Sequence, residues 1–182
     1  MTRSTRYVAL LRGINVGRAK RVPMPGLRAA LEDAGYVDVR TLLVSGNVVL
    51  TPPDGRGPGR VADDVSRAVL QGWGHDVRVI VRTAEEIADV VAACPMPDPE
   101  NGSRLMVAFL ADSPAAGAVT APDPAVIGDD QWWAREREIY VWCPKGLLDS
   151  PAMAHLNALA LGVDVTVRNW NTVGRLAALA RA

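Results

Sequence analysis

The residues in this 182-residue chain best suited to chemistry lie in three short polar segments, each set in an apolar stretch. They are Leu11-Arg12-Gly13-Ile14-Asn15-Val16-Gly17, Val44-Ser45-Gly46-Asn47-Val48, and Val167-Arg168-Asn169-Trp170-Asn171-Thr172-Val173. Asparagine carries both a donor and an acceptor, and Asn and Gly tolerate left-handed backbone. Arginine can clamp a phosphate with paired donors. These types hold a ligand; they do not break bonds. The inventory for bond breaking is thin. His75 and His155 have no neighbouring carboxylate pattern, and no Gly-x-Ser-x-Gly elbow occurs. Asp63-Asp64, Glu85-Glu86 and Asp129-Asp130 are adjacent pairs, and on a helix neighbours point different ways. Cys94 and Cys143 each sit beside a proline, with neither zinc spacing nor a disulfide framework. No metal and no cofactor is expected.

The first segment follows a strand pattern and precedes a helix. Its glycines resemble a phosphate loop in spacing only, since the third glycine and the Lys-Ser/Thr pair are absent. A looser anion site is the better functional reading, beside the plain one of a structural turn with solvated arginines. It is built from Arg12, Lys20, Arg21 and backbone N–H groups, with Asn15 and Gly17 also taken as ligand-binding candidates. Ser45 and Asn47 sit at a hairpin tip, where a turn chosen for its dihedrals is the plain reading. Arg168, Asn169, Trp170, Asn171 and Thr172 make the strongest candidate, because they precede a helix N-terminus, where anions are favoured. Trp170 can stack on a base or a sugar. The competing reading is a helix entry: Asn171 or Thr172 caps, Trp170 plugs a core, and Arg168 pairs with an acid. Of Trp132 and Trp133, strand alternation sends one ring inward and one outward.

Hydrophobic residues make up 49% of the chain and charged residues 22%, the composition of a globular protein that builds its core without metal or disulfides. No apolar leader opens the sequence, and no run approaches the ~18 residues of a membrane span, so a cytoplasmic location without a membrane partner is expected. Net charge is zero but unevenly placed. Residues 1–83 carry 13 Arg or Lys against 7 Asp or Glu, a net of +6, and the remainder balances it. Arg3, Arg6, Arg12, Arg18, Lys20, Arg21 and Arg28 all precede the first acid, Glu32. Such a stretch attracts anions, or complements the acidic half within the fold.

The elements that must position these residues follow from periodicity and punctuation. Residues 6–12 read as a buried strand. Pro23 opens a helix that ends before Gly35. Strands at 37–43 and 48–51 form a hairpin around Ser45-Gly46-Asn47. A helix spans about 60–73 and a strand 75–82. The order is strand, helix, strand, strand, helix, strand, the split βαβ of ferredoxin-like folds. Both helices then lie on one face of an antiparallel sheet, and the other face must be covered or bind something. In such a sheet the hairpin tip is expected on the edge opposite the end of the first strand. Thr83 and Glu86 form a capping box for a helix running to about Ala93. The Cys94-Pro-Met-Pro-Asp-Pro stretch breaks the chain. Beyond it come a strand at 104–110, a loop with one helical turn over 111–129, and a hairpin of 131–135 and 139–143. A helix over 151–161, an extended piece over 163–168 and a last helix follow. The second half loosely repeats the first. The fold class is α+β: a ferredoxin-like βαββαβ unit over 1–83 and a second α+β unit over 84–182, read as two units sharing a core or one compact domain.

Taken in order, several strings resemble a bacterial family known only as a domain of unknown function, number 1697. They are Tyr7 to Gly17 (YVALLRGINVG), Val22-Pro23-Met24, Ser45 to Val49, Val107 to Leu110, and Thr166 to Val173 (TVRNWNTV). The resemblance covers nearly the whole chain. It implies an α+β fold with a ferredoxin-like part and brings no activity or cofactor. The chain departs from that pattern where the family shows Ser-Lys-Leu, since Ser150 is followed by Pro151. A common family glutamate falls at Ala158, and Gly17 to Arg21 replaces a Gly-Gly-Lys-Asn loop. A role of that lysine or glutamate in the family would be impaired or altered here.

A binding role is therefore favoured over catalysis. Arg12 and Arg168 are expected to contact phosphate in an anionic or nucleotide-like ligand. Asn15, Asn47 and Asn169 would hold a polar ring, and Asn171 or Thr172 would present the helix terminus. Arg168→Ala should then abolish binding and leave the fold intact. Three alternatives stand beside this one. The first is an enzyme on a phosphorylated or nucleotide substrate using an acid such as Glu136 or Asp149. The second is nucleic-acid binding through the basic third, which zero net charge weakens. The third is a structural role in which the polar segments lock the two halves together and function lies at a protein interface.

Overall fold

A computed structural model describes residues 5–17 and 20–182; Arg3 and Arg18 of the basic stretch lie outside them. The first seven elements are β1 (Tyr7–Leu11), α1 (Met24–Asp33), β2 (Val37–Leu42), β3 (Asn47–Thr51), α2 (Pro58–Trp73), β4 (Val79–Thr83) and α3 (Ala84–Ala92). The next seven are β5 (Leu105–Leu110), α4 (Pro124–Ile127), β6 (Gln131–Ala134), β7 (Glu138–Trp142), α5 (Pro151–Ala158), β8 (Val165–Asn169) and α6 (Trp170–Arg181). Contacts divide the chain into two compact units. One holds the residues up to Asp89 with Leu176–Ala182; the other holds Val90–Arg175.

Each unit has a four-stranded antiparallel sheet, ordered β2-β3-β1-β4 in the first and β6-β7-β5-β8 in the second. The loose repeat read from the sequence is thus a repeat of topology. Tyr7 sits between Leu50 and Thr83 just as Met106 sits between Val141 and Asn169. One difference breaks the match. β2 carries a bulge between Val37 and Arg40, whereas β6 runs against β7 without one.

In the first unit α1 and α2 pack on one sheet face. Leu27, Leu31, Val61, Val65 and Val69 meet Ala9, Leu11, Val48 and Leu50 there. In the second, Ala152, Met153 and Leu156 of α5 pack on Met106, Ala108, Ile139 and Val141. Burying each of the Val, Leu, Ile and Met side chains contributes about 1.5–3 kcal/mol. The opposite faces are buried too, and they set polar residues among apolar ones: Asn47 and Arg82 beside Val8 and Leu10 in the first unit, Arg168 beside Val107, Phe109 and Tyr140 in the second.

Punctuation follows the sequence with small shifts. α2 starts at Pro58, whose missing N–H costs nothing in a first turn, and ends at Gly74 with φ 69°. The Thr83/Glu86 capping box forms as read: Oγ1 of Thr83 accepts from the Glu86 N–H at 3.0 Å, and Oε2 of Glu86 accepts from the Thr83 N–H at 2.7 Å. Two expectations need correction. α5 ends at Ala158 instead of Leu161, because Leu159 is already extended. The cap of α6 is Asn169, where Asn171 or Thr172 was expected, because β8 runs on to Asn169 and the helix starts at Trp170.

Candidate functional site

The first two polar segments meet in the first unit. β1 runs antiparallel to β3 with Leu10 opposite Asn47, so the end of β1 reaches the start of β3. The hairpin tip therefore lies beside the end of β1, and the expectation that it sits on the opposite edge is corrected by the strand order. The Leu11 N–H donates to the Gly46 carbonyl at 2.8 Å. A Cβ on Gly46 would fall 2.8 Å from Leu11 and Ile14 side-chain carbons, and its φ of 83° also calls for glycine.

Asn15 binds the junction together. Its Nδ2 donates to the Val22 carbonyl at 2.9 Å and the Val44 carbonyl at 2.8 Å, and its Oδ1 accepts from the Val22 N–H at 2.9 Å. Its own N–H donates to the Lys20 carbonyl, at φ 55°. Asn47 is fully buried, and its Nδ2 donates to the Leu42 carbonyl and to Ser45 Oγ. These two amides are committed to the fold, as buried polar groups are expected to be.

The cations stand outside that lock. Arg12, Lys20, Arg21 and Arg78 are exposed. Arg12, Gly13, Lys20, Asp76 and Arg78 line a depression of about 300 Å³. Backbone bonds hold its rim. The Arg12 N–H donates to the Arg78 carbonyl at 2.9 Å, and Lys20 Nζ donates to the Asp76 carbonyl at 2.7 Å. Gly17 and Arg21 are exposed but do not line it. Arg78 was missed in the sequence, although its signal was there: Arg78, Ile80 and Arg82 alternate along one strand.

The equivalent end of the second sheet differs in charge. The Ala111 N–H donates to the Asp164 carbonyl at 2.8 Å, as Arg12 does to Arg78. The registers thus set Ala111 and Asp112 against Arg12 and Gly13, and Asp164 against Arg78.

The third segment belongs to the second unit. Arg168 is 8% exposed, and its Nη1 donates at 2.8 Å to both Thr166 Oγ1 and the Val167 carbonyl. Burial pulls its guanidinium down to about 10, which still leaves it charged at neutral pH. Asn169 Oδ1 accepts from the Thr172 N–H and hydroxyl at 2.9 and 2.8 Å. Trp170 is half-buried, with Nε1 donating to the Pro97 carbonyl at 3.2 Å. Asn171 is exposed and packs on Gly102, where any Cβ would collide with its side chain.

A further polar cluster went unread. Asp64, nearly buried, accepts from Tyr36, Arg56 and Arg67. Burial alone would raise its carboxyl, but Arg56, Tyr36 and Arg60 hold it below the ordinary range. Burial, then Asp64, pushes Tyr36 up to about 12. Asp130 accepts from Ser150 Oγ and the Ala152 N–H, closing the first turn of α5. Burial raises the Cys94 and Cys143 thiols, which leaves them unsuited to act as nucleophiles. Among the described residues no His, Cys, Asp and Glu group could hold a metal ion, and no helix is long and apolar enough to cross a membrane.

The family model described as "Protein of unknown function (DUF1697)" matches residues 4–140, and the chain belongs to that family. Among solved structures the chain is similar to conserved bacterial protein SP0830 from Streptococcus pneumoniae. The identity is 18% and the TM-score 0.73, over 97% of this chain and 98% of that one. At that identity the likeness is one of fold. No curated protein matches the chain.

Proposed function

We propose that this member of the family binds a small phosphate-class anion, free or on a nucleotide-like ligand, in the basin of Arg12, Lys20 and Arg78. The observation that supports the reading is the gathering of three cations, two from the β1–α1 loop and one from just before β4, around one depression. Arg12 and Arg78 offer forked donors and Lys20 a point charge, the usual partners of phosphate oxygens. The Asn15 and Asn47 locks fix the loop, which reduces the ordering cost of binding. The same end of the second sheet carries Asp112 and Asp164, so the repeat has no second copy of the basin. Arg168 and Asn169 are spent on strand and helix ends; they leave the ligand set and join the scaffold.

The test is a thermal-shift screen with phosphate, pyrophosphate and mononucleotides at low and high salt. A ligand at a hundredfold excess over its Kd stabilises by about 2.7 kcal/mol. A shift with one phosphate-bearing ligand, lost in Arg12→Glu, bears the proposal out. A shift only with oligonucleotides, fading with salt, favours nucleic acid instead. No shift with any anion overturns it.

A further inference from the structure

A second concavity lies at the other end of β1 within the first unit, and the basin chemistry does not reach it. It is a crevice of about 730 Å³ lined by Arg6, Asp38, Thr51, Ala84, Glu85 and Arg181, among others. That volume lies within the range of small-molecule sites. Arg6 Nη1 donates to the Ala180 carbonyl at 3.1 Å, and Nη2 lies 3.4 Å from Asp38 Oδ2. The carboxylate is 55% exposed and the guanidinium 23%, so the pair faces the opening with room for a third party.

Comparison of the two units shows how the crevice arises. Between Val37 and Arg40 β2 has Asp38 and Val39, where β6 has Trp132 alone between Gln131 and Trp133. The extra residue is the bulge, and Asp38 takes a φ of 52° there. A bulge of this kind re-aims a side chain, and Asp38 reaches past Thr51 at the end of β3 to Arg6. The small residues Thr51 and Ala84 stand where the second unit has Trp142 and Trp170. The first unit carries small side chains where the second carries rings.

We infer that this crevice binds a free α-amino acid, its carboxylate on Arg6 and its ammonium on Asp38 and Glu85. A simple anion would face the Asp38 and Glu85 carboxylates, and a simple cation would face Arg6 and Arg181. A zwitterion with its charges one carbon apart satisfies both signs at once.

The experiment is calorimetric titration of the intact chain with the common α-amino acids. Propylamine and propionate serve as singly charged controls, and pyrophosphate reports on the basin. At least one amino acid is expected to bind saturably while both controls stay silent. Asp38→Asn keeps a residue suited to positive φ and should weaken binding on the order of tenfold, the loss of one charged hydrogen bond. Ala84→Trp, which restores the ring of the second unit, should abolish it. Pyrophosphate binding should not change in either variant, which separates this site from the basin. No amino acid binding, controls binding equally well, or an unchanged affinity in Asp38→Asn would each overturn the inference. Should Ala84→Trp fail to fold, Asp38→Asn decides alone.

Discussion

At the residue scale the polar segments divide into locks and cations, and types alone did not separate them. Asn15 and Asn47 read equally well as ligand holders or as turn residues; only their partners decide. Asn15 makes three side-chain hydrogen bonds in a left-handed conformation that asparagine accepts and alanine resists. At roughly 1 kcal/mol net per bond, Asn15→Ala should cost about 2–4 kcal/mol, read from the urea midpoint. A loss under about 1 kcal/mol would return Asn15 to the list of ligand contacts. Asp64 gives a pH signature. Its folded carboxyl lies below the ordinary range, so its stabilisation is present above the unfolded value of about 3.9 and disappears as pH falls through the folded one. Tyr36 works at the other limit: its stabilisation is complete below its ordinary value near 10 and is lost as pH rises through about 12. The stability gap between the protein and Asp64→Asn should therefore be wide at neutral pH and close in acid. A gap that does not change with pH would contradict the assignment.

At the element scale the order of strands and helices along the chain, the hairpins and the Thr83/Glu86 cap were legible because each rests on local signals: alternation, turn residues and a spaced pair. The cap at Asn169 was not, because Asn171 and Thr172 carry the same local preference, and only the length of β8 selects between them. The bulge at Asp38 left no trace, since Val37 to Leu42 still alternates well enough for a regular strand. Arg82 and Arg168 show what pairing adds. Val8 lies opposite Arg82 and Val107 opposite Arg168, so the two buried arginines occupy the same place in the two sheets. Each donates to the carbonyl of the residue before it. Arg168→Ala leaves Thr166 and the strand end short of a donor and should destabilise the chain by about 2–4 kcal/mol. Pyrophosphate affinity of the folded protein should not change. Loss of affinity with full stability would restore the expectation that Arg168 touches the ligand.

At the scale of the whole molecule, one topology occurs twice with opposite charge at the matching end of its sheet. The excess of positive charge in residues 1–83 comes to a point at Arg12, Lys20 and Arg78; the matching end of the second sheet presents Asp112 and Asp164. The sequence carried the charge imbalance plainly but could not say that Arg78 joins Arg12, because that proximity comes from the pairing of β1 with β4. The most direct test is calorimetric titration of pyrophosphate into the protein and into Arg78→Asp, which places there the residue type of the second unit. Saturable binding to the protein, lost in Arg78→Asp with the urea midpoint unchanged, is the predicted result. Equal affinity in both, or no binding to either, would contradict an anion site at the end of β1.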